Sequence, residues 1–287
     1  MGKKYWLVTT EHLKDKLWFK DEDDFKTGMN YVALLSATLP THILSFVLMS
    51  NHVHFVLGGT REEALNFIFS FKTSYSKYYS NKYLYKELLR NNKIDLREIS
   101  SYDEGLEKAI AYVQMNSVAA NICLHPSGYP WGTGDSFFSK SQAGGTFVGE
   151  MTGRALIRVT HSKISLPPNY LVSEKGYILP SSYVKVELVQ SIFRTPKRMA
   201  YFLQTSSKAR RAQDLPSMPT FRDQTVAAAL ADLCISIYGK SQIEDLNTEQ
   251  KAEILKQIRY RLSSDPNQMS RVTGISYEII SKLLDRC

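Results

Sequence analysis

Residues 46–57 read Phe46-Val47-Leu48-Met49-Ser50-Asn51-His52-Val53-His54-Phe55-Val56-Leu57 and set two histidines one residue apart inside an apolar, β-prone run. Side chains alternate across a strand, so His52 and His54 project from one face with Ser50 and Val56, while Val53 and Phe55 point the other way. Two imidazoles on one face can reach a single metal ion. The same spacing also suits two histidines that merely sit in a sheet, so the surrounding residues have to decide between the readings.

Val47-Leu48-Met49-Ser50-Asn51-His52-Val53-His54-Phe55-Val56-Leu57 resembles the HUH strand of single-tyrosine transposases, above all the REP-associated tyrosine transposases. The usual wording there is a hydrophobic run, then Met-Pro-Asn-His-Val-His, then more hydrophobics. Ser50 stands where proline is usual, and proline at that place is not a ligand.

A chain of 287 residues, 43% of them hydrophobic, can bury a sizeable core and form one domain plus a smaller second one. No run approaches the roughly 18 apolar residues of a membrane span, and the start Met1-Gly2-Lys3-Lys4-Tyr5-Trp6 lacks the apolar stretch of a signal peptide. The expected location is the cytoplasm, with the nucleoid as the place of work. Cys123, Cys234 and Cys287 are scattered without Cys-x-x-Cys spacing, which argues against a disulfide framework or a zinc knuckle. His12, His42, His125 and His161 are isolated and read as surface or core histidines, and Asp21-Glu22-Asp23-Asp24 reads as a solvated turn.

The net charge of +8 has the sign of a nucleic-acid binder. Lys72, Lys77, Lys82, Lys86, Arg90, Lys93 and Arg97 interleave with Tyr75, Tyr78, Tyr79, Tyr83 and Tyr85. Such a helix can hold phosphates with its charges and stack unpaired bases on its rings, which makes Lys72, Tyr75 and Lys77 candidate DNA contacts. A solvated helix with half-packed tyrosines has the same pattern. A second basic stretch, Ile192 to Leu215, carries Arg194, Lys197, Arg198, Lys208, Arg210 and Arg211 against Asp214. It suits either a connector that tracks a DNA backbone through Arg194, Lys197 and Arg198 or a solvated linker.

Hydrophobic periodicity predicts strands over 4–10 and 42–58, a helix around 29–39, a long helix over 65–89 and another over 103–124 with the stripe Leu106, Ile110, Val113 and Ala120. Tyr112 and Asn116 lie beside that stripe, one turn apart on a common face. The segment 111–120, Ala-Tyr-Val-Gln-Met-Asn-Ser-Val-Ala-Ala, resembles the Tyr-Ile-x-x-Asn-Pro-Val-x-Ala helix of the same family, with Ser117 in place of its proline. Tyr129-Pro130-Trp131 resembles the Tyr-Pro-Trp that follows this helix in relatives, so the resemblance covers roughly residues 1–138. It implies that Tyr112 is the nucleophile, with Tyr75 as the alternative, and that Asn116 is the third ligand beside His52 and His54. With an amide oxygen and phosphate oxygens around it, the expected ion is Mg²⁺ or Mn²⁺. A tyrosine hydroxyl has a pKa near 10 and is a poor free nucleophile, so it needs an electrophile positioned for it.

From Phe221 onward the chain is strongly helical, and Gln268 to Leu284 has the grammar of a helix-turn-helix, with a turn at Gly274 and a core of Met269, Ile275, Ile280 and Leu283. The expected architecture is an α+β unit, an antiparallel sheet with packed helices like that of HUH transposases and ferredoxin- or RRM-like folds, over 1–145. A basic extension over 146–214 and an all-α C-terminal domain over 215–287 follow it. The resemblance implies metal-dependent cleavage and strand transfer of single-stranded or hairpin DNA at short palindromic repeats through a 5′-phosphotyrosine, often by a homodimer. A non-catalytic, sequence-specific DNA-binding regulator that keeps the fold is the alternative.

Overall fold

The structure, a computed structural model, describes residues 4–86, 88–89, 91–100, 102–139, 144–209 and 220–285. Arg90, Arg210, Arg211, Asp214 and Cys287 lie outside the described residues. The first six elements are β1 (Tyr5–Thr10), α1 (Glu22–Thr38), β2 (His42–Met49), β3 (His52–Gly58), α2 (Arg61–Tyr83) and β4 (Ile94–Glu98). They form a β-α-β-β-α-β unit. Its sheet has the order β2-β3-β1-β4, and every neighbouring pair is antiparallel.

The run 42–58, expected as one strand, is a hairpin: Met49 pairs with His52, and Ser50-Asn51 form the loop between them. Serine and asparagine favour turns because their side chains bond nearby backbone, which the apolar residues around them cannot do. Ser50 therefore sits in the turn, and His52 opens β3. All of β3 is buried, because helices cover both faces. Phe55 packs edge-on against Phe67 and Phe71 of α2. On the opposite face His54 meets Tyr112 of α3 (Gly105–Gln114).

The acidic cluster is not a solvated turn. Asp21 caps α1 by accepting from the Asp24 backbone N–H, and Asp24 is fully buried. Its carboxylate receives the Lys20 backbone N–H, the hydroxyls of Tyr78 and Tyr83, and the Lys82 ammonium. A buried charge persists only when paired and hydrogen-bonded, and three of these four partners come from α2. The cluster thus fastens α1 to α2.

The expected helix 103–124 breaks at Met115 into α3 and α4 (Asn116–Ala119). The Asn116 side chain donates to the Tyr112 and Val113 carbonyls at 2.8 and 3.2 Å, satisfying groups that a helix end leaves unpaired. Beyond it, Tyr129-Pro130-Trp131-Gly132 runs beside the edge strand β2. The Leu48 N–H donates to the Trp131 carbonyl at 2.8 Å, and the Tyr129 hydroxyl donates to the Leu48 carbonyl at 2.8 Å. A Cβ at Gly132 would lie 2.6 Å from the Phe46 carbonyl oxygen, so only glycine permits this approach. The segment covers an edge that would otherwise be open to pairing.

The expected basic extension is folded onto the same core. β5 (Gly145–Phe147), α5 (Gly153–Thr160), β6 (Leu171–Ser173), α6 (Val186–Phe193) and α7 (Pro196–Thr205) bury Val148, Val172, Ile178, Phe193 and Phe202 with the sheet residues. A separate apolar cluster forms among α8 (Asp223–Tyr238), α9 (Thr248–Leu262), α10 (Pro266–Thr273) and α11 (Tyr277–Leu284). Gly274, at φ +72°, turns the chain between α10 and α11. Among the described residues no helix is long and apolar enough to cross a membrane.

Candidate metal centre

His52 and His54 lie on the face of β3 that meets α3, and both are buried. The His52 Nδ1–H donates to Asn51 Oδ1 at 2.8 Å, and His54 Nδ1 lies 3.0 Å from the Thr9 hydroxyl. Each ring thus has one nitrogen held by a neighbouring oxygen. Each Nε2 is buried without a hydrogen-bond partner. Burying a polar nitrogen unsatisfied costs free energy, and a ring anchored at Nδ1 with Nε2 left over is how metal-binding histidines are oriented. Burial, followed by the nearby His54 and His12, holds the His52 imidazole well below its ordinary pKa. Burial, then Lys208 and His12, push His54 down to about 3, against the Asn116 amide, which favours the protonated ring. Both rings are therefore neutral at physiological pH, the form that binds a metal.

The third histidine is His12, which the sequence reading had set aside as isolated. Its ring stacks on His52 with centroids 3.5 Å apart, and the ligand atoms of His12, His52 and His54 all lie within 4.8 Å of one another. The placement follows from backbone bonding after β1. The Leu13 N–H donates to the Asn51 carbonyl at 3.0 Å, and the Asn51 side-chain amide returns a bond to the Leu13 carbonyl at 2.8 Å. The chain is thereby held along the β2–β3 turn. Three imidazoles, two of them with oriented and unsatisfied nitrogens, fit a divalent ion.

The Tyr112 ring stands edge-on to His54 at 5.6 Å between centroids. Asn116 is buried one turn on, with its Nδ2 engaged by the end of α3 and its amide near His54. The structure thus brings His52, His54, Tyr112 and Asn116 together and adds His12 beside His52.

His12, His52 and Asn116 border a cleft of about 250 Å³ that residues of the C-terminal helices line on its far side. Two acidic residues, Asp223 and Asp265, are among its described lining. Asp223 is buried and accepts from the Ser50 hydroxyl at 2.6 Å, Gln268 Nε2 at 3.0 Å and the Arg271 guanidinium at 3.2 Å. Asp265 caps α10. The cations Lys208 and Arg222 line the same cleft; Lys208 Nζ lies 4.9 Å from the Tyr112 ring centre, and Arg222 lies over Tyr129.

The other candidate contacts are dispersed. Tyr75, expected in basic and exposed surroundings, is fully buried, and its hydroxyl donates to the Trp18 carbonyl. It can neither stack a base nor attack DNA from the core. Lys72 is also buried, with its ammonium on the Asn92 carbonyl. Their helix is apolar on its inner face because α2 covers the sheet, and the polar ends of both side chains find partners inside. Lys77, Arg194 and Lys197 are exposed, and none of them lines the cleft beside His52. Arg198 bridges Glu104 and Glu107 at 3.0 Å each, which fixes α7 to the start of α3 instead of leaving it on a free connector.

No protein-family model and no curated protein matches the sequence. Among solved structures, one described as "Structure of the REP associates tyrosine transposase bound to a REP hairpin" is similar over 57% of this chain and 86% of that chain, with 11% sequence identity and a TM-score of 0.35.

Proposed function

We propose that this chain cleaves and rejoins single-stranded DNA, with Tyr112 as nucleophile and a divalent ion held by His12, His52 and His54. The observation that carries the reading is the placement of Tyr112 against His54, beside two buried imidazole nitrogens that have no other partner. The motif resemblance around 47–57 and 111–120 supports the same roles. Three imidazoles favour Mn²⁺ over Mg²⁺, because nitrogen donors suit the softer ion.

The bound ion supplies Lewis-acid polarisation of a phosphodiester oxygen. The Tyr112 oxygen attacks phosphorus in line and gives its proton to solvent, and the bond to the 3′ oxygen breaks. The products are a 3′-hydroxyl and a 5′-phosphotyrosine. Attack by another 3′-hydroxyl reverses the step, joins that strand and frees Tyr112. Thr9 and Asn51 hold the two rings in orientation, while Asn116 fixes the end of α3 that presents Tyr112. The target class, short hairpins at palindromic repeats, and action as a homodimer come from the motif resemblance. The division of labour follows residues 1–145 for chemistry, 146–214 as an extension packed beside it and 215–287 for target choice.

Full-length protein incubated with Mn²⁺ and a pool of hairpin oligonucleotides is expected to form a covalent adduct that mass spectrometry maps to Tyr112. Tyr112→Phe removes only the nucleophilic oxygen, so the adduct should vanish while binding persists. An adduct at any other residue overturns the assignment. A second reading, a DNA-binding regulator without cleavage, is favoured by one observation: α11 follows the turn at Gly274 and exposes Tyr277 and Ile279. Tight duplex binding without any adduct would select it.

A further inference from the structure

Residues 220–224, which lead into the C-terminal helices, are tied down on both sides of Arg222. The Thr220 N–H donates to the Asn121 carbonyl at 2.7 Å, and the Thr220 hydroxyl reaches the same carbonyl at 3.1 Å. Gln268 Nε2 donates to the Phe221 carbonyl at 2.8 Å, Asp223 takes the Ser50 hydroxyl at 2.6 Å, and Gln224 donates to the Phe19 carbonyl at 2.7 Å. Arg222 itself lines the cleft together with His12, His52 and Asn116. Its guanidinium carbon lies 5.6 Å from the centre of the Tyr129 ring, which is buried and fixed by its hydroxyl on the Leu48 carbonyl at 2.8 Å. An arginine resting on an aromatic ring is held by dispersion and by the charge of the ring face, and the N–H donors at its rim stay available for oxygen. A cation is thus presented to the cleft on a fixed backbone and a fixed ring.

We propose that Arg222 is a substrate-positioning residue, whose guanidinium grips a backbone phosphate of the DNA strand that Tyr112 cleaves. The proposal rests on the cleavage reading and extends it to a residue outside both motifs. A phosphodiester carries two unbridged oxygens, and the guanidinium rim offers paired N–H donors at a matching spacing. Thr220 bonds to the chain just after α4, Gln224 to the loop before α1, and Asp223 to the β2–β3 turn, so the grip is referred to the frame that carries His52 and Asn116. Little ordering is left to be done on binding, which is the condition for one contact to deliver most of its affinity. The strand would then lie across the junction of the two apolar clusters, held by a residue of the segment that joins them.

The test compares wild type with Arg222→Gln, Arg222→Lys and, as a control of equal charge loss on an exposed residue outside the cleft, Lys77→Gln, all as full-length proteins. The probe is a random-sequence single-stranded 20-mer pool without metal. Arg222→Gln is expected to weaken binding about tenfold at low salt and to reduce the slope of log affinity against log salt by about 0.7, the loss of one phosphate contact. Arg222→Lys should keep the slope and recover part of the affinity, since the ammonium retains the charge but not the paired donors. Lys77→Gln should leave the slope as in wild type. An arginine held by an acidic group of the chain itself would show the opposite pattern: Arg222→Gln would lower the melting temperature and leave the salt slope unchanged. That pattern, an equal loss of slope in Lys77→Gln, or no oligonucleotide binding by wild type overturns the proposal. Adduct formation by wild type is scored separately. An Arg222 effect without an adduct sinks the cleavage reading alone, and an adduct without an Arg222 effect sinks this proposal alone.

Discussion

At the scale of single residues, Thr9 and Asn51 decide what His54 and His52 can do. Each occupies one ring nitrogen and so leaves the other as the available ligand atom. Thr9→Val keeps the shape of the side chain and removes its hydroxyl, and it should weaken Mn²⁺ binding about 10- to 100-fold, as loss of a ligand-orienting hydrogen bond does. Isothermal titration reads the change, and an unaltered affinity would show that the His54 orientation is set by packing alone. His12→Ala should weaken Mn²⁺ binding further, while Asn116→Ala should affect the end of α3 more than the metal. His52 and His54 were legible because their spacing is local, and Tyr112 because of the motif around it. His12 was not, since its place depends on register across two strands. Thr9 pairs with His54, so regular continuation would set Glu11, not His12, on the His52 face. β1 ends at Thr10, and the bonds between Leu13 and Asn51 bring His12 round instead.

Among the elements, α2 shows how composition misleads. Its alternating basic and aromatic residues look like a nucleic-acid face, yet Tyr75, Tyr79 and Lys72 are buried and Lys82 is bound to Asp21 and Asp24. A sequence shows which residues are charged but not which of them meet an opposite charge sixty residues away. Partial burial pushes the Asp21 carboxyl up, but the hydrogen bonds from Lys82 and from the Asp24 backbone N–H outweigh it and hold the group below its usual range. Burial likewise pulls the Lys82 ammonium down, and its bonds to Asp21 and Asp24 more than reverse this. The Asp21 contribution is present above an unfolded pKa of about 3.9 and fades as pH falls through the lower folded value. That of Lys82 is present below about 10.4 and fades as pH rises through the higher folded value. Lys82→Met should therefore lower the melting temperature most at neutral pH, with the difference from wild type shrinking at both extremes; a pH-independent difference would place the effect in packing. At the β2 edge, Gly132→Ala should destabilise by about 2 kcal/mol in denaturant unfolding, because its methyl group meets backbone that cannot give way.

On the scale of the whole chain, periodicity outlined β1, α1, α2 and the C-terminal helices, while the antiparallel sheet was expected from the motif resemblance, since neither the hairpin within 42–58 nor β4 was read from the pattern. How the two apolar clusters meet was legible in neither, because polar contacts at a few positions join them. Asp223 at the start of α8 takes the Ser50 hydroxyl, and Gln224 donates to the Phe19 carbonyl at 2.7 Å. Asp223→Ala would leave Ser50, Gln268 and Arg271 without this acceptor. The C-terminal helices should then lose hydrogen-exchange protection before the sheet does, and equal loss in both would show that the clusters unfold as one.

Ser50 belongs to the two-residue loop whose other member, Asn51, steers His52. The strut under the helical unit and the rudder of the metal centre are thus neighbours on one tight bend. Any displacement of the helical unit must therefore tug on the bend that orients His52, so the seating of those helices and the aim of the imidazole are mechanically coupled.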